Sequence, residues 1–389
     1  MIDVLVVSHA TFRGVNRNVF NYLKQAYGYS VEIIAPKQLS FSGKILNADP
    51  PQNQEETIHF LDLKGQNPRM YDFEGLYELA DQLQPRIIYL ENDPVSQQAI
   101  KLGRWCKKNK AHLICLSCEN LRFDPISSLK RSGLKGFLLG FVKLGLMYAS
   151  RPTVDQVFTI NDAGTKIFSG YKFKKVLKTP LGFNPDLFYP SPERRAAARK
   201  ELDLGDLFTL AYIGRLVPEK GVDLLLQSLK QIEHLPWVFI IDKFEASPGT
   251  YQARIFEQIE ALGLSARVKY FDAGHSEIGT YMNAADLVVI PSVSTPFWVE
   301  QYGRVAPESM ACGKLVLTSD SGALPELVGD AGVIFKEGNL ADLTEKLTQI
   351  IQNPAQFQQI AHKAYTRAHT FLSLKSQAKL IDESIQSFL

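Results

Sequence analysis

The sequence predicts an α/β protein built from two parallel-sheet domains, and three observations carry that expectation. Short β-branched runs alternate with longer helical patterns over the whole chain. A second series of such units restarts at Phe208, after a proline-punctuated stretch. The length, 389 residues, is too great for one small module and suits two to three domains of about 150 residues each.

Val4 to Val7 is a continuous apolar run, the pattern of a strand covered on both faces. Further strands are expected at Val31 to Ala35, Ile58 to Leu61, Arg86 to Leu90, His112 to Leu116, Val154 to Ile160 and Val176 to Leu181. Helical spacing fits Val15 to Tyr27, Asp72 to Gln82, Val95 to Asn109, Leu134 to Ala149 and Ala163 to Ser169. Gly182 to Glu193, GFNPDLFYPSPE, has three prolines in twelve residues and reads as the linker.

After it, strands are expected at Phe208 to Ile213, Trp237 to Ile241, Val268 to Phe271, Leu287 to Ile290, Leu315 to Thr318 and Gly332 to Phe335. The helices between them are Val222 to Ile232, Tyr251 to Leu262, Glu277 to Ala284, Pro307 to Ala311 and Leu340 to Ile351, with a terminal pair from about Pro354. The domains are therefore set at 1–186, joined by the C-terminal helix 372–389, and at 187–371. In two open sheets facing across a cleft, ligands bind beyond the C-terminal strand ends, where helix N-termini point inward.

Composition narrows the function classes. Hydrophobic residues at 45% and charged residues at 22% exclude a disordered, collagenous or fibrous chain. The net charge of +2 argues against wrapping nucleic acid, but it conceals an asymmetry. Residues 1–190 hold 24 basic and 17 acidic side chains, and residues 101–151 alone hold 11 basic against Glu119 and Asp124. Four cysteines form no disulfide framework, and the start MIDVLVVSHA lacks a signal-peptide pattern, so a reducing cytoplasm is expected. The apolar stretch Gly133 to Ser150 is interrupted by Lys135 and Lys143, a poor spanning segment. Its leucines and phenylalanines predict a helix that covers the core with its lysines snorkelling, with peripheral contact to an anionic membrane surface as the functional alternative.

The most specific segment is Pro291 to Gly313, PSVSTPFWVEQYGRVAPESMACG. Glu300 and Glu308 flank Tyr302, Gly303 and Arg304, and a helix is expected from Pro307, which fits the first helical position because its missing N–H would be unpaired there. The preceding loop then offers backbone N–H groups to an anion, and the two carboxylates can accept from sugar hydroxyls. Taken alone, an E-x7-E pair more often caps a helix or lies in solvent. The second segment is Tyr212 to Leu229, YIGRLVPEKGVDLLLQSL, where Arg215 and Lys220 stand between a strand end and an amphipathic helix opened by Gly221. Arg215 can grip phosphate oxygens in a fork and Lys220 can add a point charge, the alternative being local pairing with Glu219 and Asp223.

These residues resemble the retaining glycosyltransferases of family 4, GT-B enzymes with two Rossmann-like domains that move a sugar from a nucleotide diphosphate sugar to an acceptor. GRLVPEKG looks like the family's phosphate-gripping segment and EQYGRVAPESMACG like its E-x7-E signature; TINDAGTKIF, TPLGFNPDLFYP, YMNAADLVVIPS and SGALPELVGDAGVIF extend the likeness from Ile2 to about Leu372. The resemblance implies that Arg215 and Lys220 bind the donor diphosphate and stabilise its developing charge. It implies that Glu300 contacts the transferred sugar, that the backbone of Tyr302, Gly303 and Arg304 lines phosphate and sugar, and that Glu308 holds the ribose hydroxyls. It also implies that the loop from His9 to Asn16, with Gly14 in its turn, closes over the diphosphate.

The implied donor is a UDP-, GDP- or ADP-sugar, with no metal or other cofactor required, and the implied acceptor is a glycan, a lipid-linked group or a small-molecule hydroxyl. His9, Glu119 and Asn120 are the acceptor-side candidates, with Glu91 and Asn92 weaker ones. Three segments depart from the family pattern. FIIDKFEASPG replaces a glycine-rich turn, FRGVNR has one glycine where two are common and turns attention to Arg13 or Arg17, and LSCENLRFD offers Glu119 and Asn120 where a histidine is frequent. A GT-B nucleotide-sugar 2-epimerase and a non-catalytic sugar-nucleotide-binding subunit are the alternatives. Cys115 and Cys118, a lone C-x2-C, and Cys312 read as ordinary thiols rather than metal ligands.

Overall fold

The first sheet grows outward from its first strand, as β-branched runs buried on both faces require. The computed structural model describes residues 1–41, 44–65, 67–243 and 250–389. The chain divides into two units, Met1–Gly182 with Leu374–Leu389, and Phe183–Ser373.

In the first unit β1 (Val4–Ser8), α1 (Asn18–Tyr27), β2 (Val31–Pro36), β3 (Ile58–Leu61), α2 (Leu76–Leu83), β4 (Ile87–Glu91), α3 (Gln97–Asn109), β5 (His112–Ser117), α4 (Pro125–Ser150), β6 (Gln156–Thr159), α5 (Asp162–Gly170) and β7 (Val176–Lys178) follow one another. All seven strands are parallel, in the order β7-β6-β5-β4-β1-β2-β3. Every residue of β1 is buried. Two short antiparallel pairs, Gln38–Phe41 with Lys44–Asn47 and Leu63–Lys64 with Asp72–Phe73, add local hairpins that the alternating pattern did not announce.

The second unit contains α6 (Pro192–Glu201), β8 (Phe208–Tyr212), α7 (Val222–Gln231), β9 (Trp237–Asp242), α8 (Thr250–Ala261), β10 (Val268–Phe271), α9 (Ile278–Ala284), β11 (Leu287–Ile290), α10 (Val305–Ala311), β12 (Leu315–Ser319), α11 (Leu324–Val328), β13 (Val333–Phe335), α12 (Leu340–Gln352) and α13 (Gln358–Phe371). Its six parallel strands run β10-β9-β8-β11-β12-β13. In both sheets the first strand is internal and the order reverses beside it, between β1 and β4 and between β8 and β11. That is the doubly wound Rossmann arrangement, in which ligands gather at the reversal point beyond the C-terminal strand ends. The α/β class with two Rossmann-like units, the GT-B fold, is what the sequence predicted.

The C-terminal helix α14 (Leu374–Gln386) packs on the first unit: the Tyr29 hydroxyl donates to Asp382 Oδ1 at 2.6 Å, and Gln156 Nε2 donates to Ser384 Oγ at 2.8 Å. The chain passes between units at Gly182/Phe183 and Ser373/Leu374, where the sequence set 186/187 and 371/372.

Three element boundaries differ from expectation for identifiable reasons. The linker ends early because the Ser191 hydroxyl accepts from Arg194 N at 3.1 Å and starts α6 at Pro192. Helix α4 begins at Pro125, nine residues before the expected Leu134, because Asp124 caps it by accepting from Ser127 N at 3.0 Å. Helix α10 begins at Val305, so Pro307 stands third in the helix rather than first, still within the turn whose N–H groups lack helical acceptors. Among the described residues no helix is long and apolar enough to cross a membrane.

Candidate functional site

In the second unit, the loops that leave β8 and β11 meet beyond the reversal point through both backbone and side chains. Tyr212, the last residue of β8, is buried, and its hydroxyl donates to the Arg215 carbonyl at 2.5 Å, tying the start of the loop to the strand end. The loop closes with Lys220 N donating to Val217 O at 2.9 Å. Gly221 has φ +65° and opens α7; a Cβ there would lie 2.0 Å from the Pro291 carbonyl oxygen. The two loops touch at this point, since Val293 N donates to Glu219 O at 2.9 Å.

That contact delivers Lys220 to Glu300, 80 residues away in sequence. The Lys220 ammonium donates to Glu300 Oε2 and lies 5.0 Å from the centre of the Trp298 ring. The fully buried Ser292 hydroxyl donates to the same carboxylate oxygen at 2.9 Å. Local pairing of Lys220 with Glu219 or Asp223 is replaced by this long-range pair, and Asp223 instead accepts from the Tyr251 hydroxyl at 3.0 Å. Arg215 is exposed and forms no ion pair among the described residues.

The remaining E-x7-E residues build the other side of the loop. Tyr302 is buried, and Gly303 takes φ +82°, a left-handed turn that aims the chain into α10. Arg304 precedes the helix, with its Nε 3.6 Å from Glu308 Oε1. Glu308 is buried, and burial pushes its carboxyl up to about 7 although Arg304 opposes the shift. His275, which sequence reasoning missed, is exposed at the surface, yet desolvation of its ring and the charge of Arg304 push it down to about 4. Also missed were Ser292, Trp298 and the Ser294–Glu337 pair, in which the Ser294 hydroxyl donates to Glu337 Oε2 at 2.7 Å. Ser292, Ser294 and Trp298 carried a signal, by lying inside the Pro291–Gly313 segment; Glu337 and His275 did not. Asp242 ends β9 as a buried carboxylate; residues 244–249 of FIIDKFEASPG lie outside the described residues.

In the first unit the reversal point is marked by Ser8 and Glu91, paired in register, with the Ser8 hydroxyl donating to Glu91 Oε2 at 2.5 Å. His9 follows; burial lowers its pKa, and its ring meets Tyr71 edge-on at 5.5 Å. Gly14 does not present a free amide: its N–H donates to Asp49 Oδ2 at 2.8 Å, while Arg13 binds Asp49 Oδ1 at 2.8 Å. Arg17 is wholly buried and serves the loop, donating to the carbonyls of Asp49 and Pro50 at 3.1 and 2.9 Å, so it is not available to a phosphate.

Glu119 accepts from Arg69 at 2.6 Å and, through its other oxygen, from Leu121 N at 3.1 Å; Asn120 lies half-buried beside it. Arg69 also stands 3.6 Å from Asp93, whose carboxylate accepts from Ser117. Lys143 of α4 is half-buried near this group, and desolvation and Arg69 lower its pKa. Arg69, Asp93 and Lys143 come from three separate segments with no shared spacing, so the sequence alone did not assemble them. Asn92 is buried and donates to Pro68 O at 2.9 Å. Cys115 and Cys312 are buried and Cys118 exposed.

Residues 194–367 match the family model "Glycosyl transferases group 1". D-inositol 3-phosphate glycosyltransferase of Mycobacterium tuberculosis is 32% identical over 181 residues, which is 44% of this chain and 36% of that protein, so the match spans about a third of the relative's length. Solved structures of similar fold include the Anabaena protein HepE in complex with UDP, with 19% identity, 99% and 100% of the two chains covered and TM-score 0.75. Sucrose-phosphate synthase from Thermosynechococcus elongatus has 18% identity, 100% and 99% coverage and TM-score 0.73. Residues 194–367 are thus similar to a group 1 glycosyltransferase domain, and the chain shares the GT-B fold of these solved structures.

Proposed function

We propose that this protein is a retaining glycosyltransferase that moves a sugar from a nucleotide diphosphate sugar to a hydroxyl acceptor. The observation that carries the reading is the meeting of Lys220 and Glu300 at the reversal point of the second sheet, with Arg215 exposed on one loop and Glu308 buried on the other. HepE in complex with UDP and with UDP and glucose supports a nucleotide-sugar donor, and the D-inositol 3-phosphate glycosyltransferase relative supports glycosyl transfer.

Each residue then has a task. Arg215 grips the diphosphate in a fork and Lys220 adds charge as the glycosidic bond breaks and negative charge develops on the leaving group. This pair does the charge neutralisation without a divalent metal. Glu300, held by Lys220 and Ser292, accepts from hydroxyls of the transferred sugar; Glu308 accepts from the ribose hydroxyls; the backbone of Tyr302, Gly303 and Arg304 lines sugar and phosphate. On the acceptor side His9, Glu119 and Asn120 are the assigned residues, joined now by Arg69. The leaving diphosphate assists deprotonation of the incoming hydroxyl on the same face, which gives retention.

The experiment is a thermal-shift screen with UDP, GDP and ADP sugars, followed by product analysis with the anomeric configuration read by NMR. A shift and a glycosylated product with the donor's configuration support the reading. Turnover unchanged in Lys220→Ala, Glu300→Ala and Glu308→Ala would sink the site, and shifts without product would leave a binding subunit. Transfer in excess chelator tests metal independence.

A further inference from the structure

Helix α4 presents a stripe of its apolar side chains outward, while Met147 is buried and Leu144 and Leu146 pack on the core. The helix is broken at Ser132 and Gly133, whose backbone angles are not helical, and the 134–150 limb folds back on the first limb through glycines. A Cβ at Gly136 would lie 2.2 Å from the Ser128 carbonyl oxygen, and one at Gly140 would lie 2.5 Å from Pro125 Cα. Gly136, Gly140, Met147 and Ser150 form the buried stripe, and Lys143 is half-buried and feels the charges of Arg69, Glu119 and Asp93.

The opposite face carries Leu134, Leu138, Phe141, Val142 and Tyr148, which are 70%, 58%, 55%, 58% and 55% exposed. The expected core-covering face is met only in part: Met147 is buried in the core and Leu144 packs against it, whereas Leu134, Leu138, Phe141 and Val142 cover nothing. A soluble helix puts charge on such a face, and single exposed leucines would need no explanation, whereas a contiguous stripe does.

The charges around the stripe name its occupant. From Pro125 to Arg151 there are five basic residues, Lys130, Arg131, Lys135, Lys143 and Arg151, and no acidic one. Lys130 and Lys135 are exposed at one end of the limb, and at the other Arg151 stacks over the Tyr148 ring at 5.4 Å. Two copies packed through this face would set like charges against each other. An anionic lipid surface satisfies both features, taking the apolar stripe into the acyl boundary and the cations at its headgroups.

We infer that the 134–150 limb of α4 lies flat on an anionic membrane surface with Leu138 and Phe141 inserted, holding the Arg69–Asp93–Glu119 group next to that surface. The docking stands on the helix itself; its purpose, transfer to an acceptor carried by the membrane, rests on the transferase reading above.

The test is flotation of the full chain with vesicles of pure phosphatidylcholine and of phosphatidylcholine with phosphatidylglycerol. The expected result is binding to the anionic vesicles, weakened by salt, and lost by about tenfold or more in Leu138→Glu and Phe141→Glu. Lys130→Glu/Lys135→Glu weakens binding to anionic vesicles and leaves the neutral ones unchanged. Circular dichroism melts establish that each variant is folded; Leu138→Ser, a milder change, replaces any that is not. Absence of binding to anionic vesicles at low salt overturns the inference, as does a stable dimer in sedimentation that Phe141→Glu dissociates. Nucleotide-induced thermal shifts of the same variants separate the two proposals: shifts kept without vesicle binding overturn the docking alone, and vesicle binding without any nucleotide shift overturns the transferase reading alone.

Discussion

Lys220 and Glu300 form an ion pair between the loops that leave β8 and β11, with both side chains largely withdrawn from water. Charges so placed are costly unless they stay together, because neither recovers its hydration if the other is removed. Lys220→Ala therefore leaves the Glu300 carboxylate buried without its ammonium partner, and is expected to destabilise the fold by about 2–4 kcal/mol. The double variant Lys220→Ala/Glu300→Ala is expected to cost less than the sum of the two single variants, measured by denaturant melts. Strict additivity would mean the pair does not couple. Under the transferase reading, each single variant also lowers transfer by about 100-fold or more.

Gly221 tests the approach of the same two loops. Its φ of +65° is costly for any residue with a Cβ, and that Cβ would meet the Pro291 carbonyl oxygen at 2.0 Å. Gly221→Ala is expected to destabilise by more than about 2 kcal/mol, since backbone must move and no flexible side chain can yield. A melt within about 0.5 kcal/mol of wild type would show that the loops part easily and that the geometry around Lys220 is soft.

These two predictions show what was and was not legible in the sequence. Arg215, Lys220, Glu300 and Glu308 stood out because chemically rich residues cluster near strand ends and helix starts, a local signal. The Lys220–Glu300 pair was not legible, because only the strand order β8-β11 brings residues 80 positions apart into contact. The buried role of Arg17 was hidden for a similar reason: its partners Asp49, Pro50 and Glu56 come from an irregular segment without periodicity. In α4 the apolar spacing was plain, but periodicity says that a stripe exists and not which side meets the core. The small residues Gly136 and Gly140 decide that, by letting backbone approach backbone.

Glu308 predicts a pH dependence whose sign follows from its environment. Its carboxyl titrates at about 7 in the fold against an ordinary value of 4.5, so between these values the folded state holds a proton that the unfolded chain has released. Stability from this group is intact below pH 4.5 and is lost as pH rises through 7. Glu308→Gln, neutral at every pH, is expected to gain stability relative to wild type between pH 5 and pH 8, read as a growing difference in melting temperature. Nucleotide binding should run the other way. If the carboxylate accepts from ribose hydroxyls, wild-type affinity weakens as pH falls below 7, and Glu308→Gln loses that dependence. A flat wild-type profile from pH 5.5 to 8 in both measurements would overturn the assignment.

Arg17 carries the last prediction. Its guanidinium has no exposed surface; it donates to the carbonyls of Asp49 and Pro50 and stands 3.3 Å from Glu56, itself buried. Asp49 in turn receives Gly14 N and Arg13, so one buried cation holds the segment that organises the loop after β1. Arg17→Leu keeps the apolar volume but strands Glu56 without its cation, at an expected cost of about 3 kcal/mol. Adding Glu56→Gln removes the stranded charge and is expected to recover part of that loss. Arg13, on the exposed side of the same loop, behaves differently: Arg13→Ala is expected to cost no more than about 1 kcal/mol, because its pair with Asp49 is solvent-screened. Equal costs for the two arginines in denaturant melts would mean that burial does not distinguish their roles.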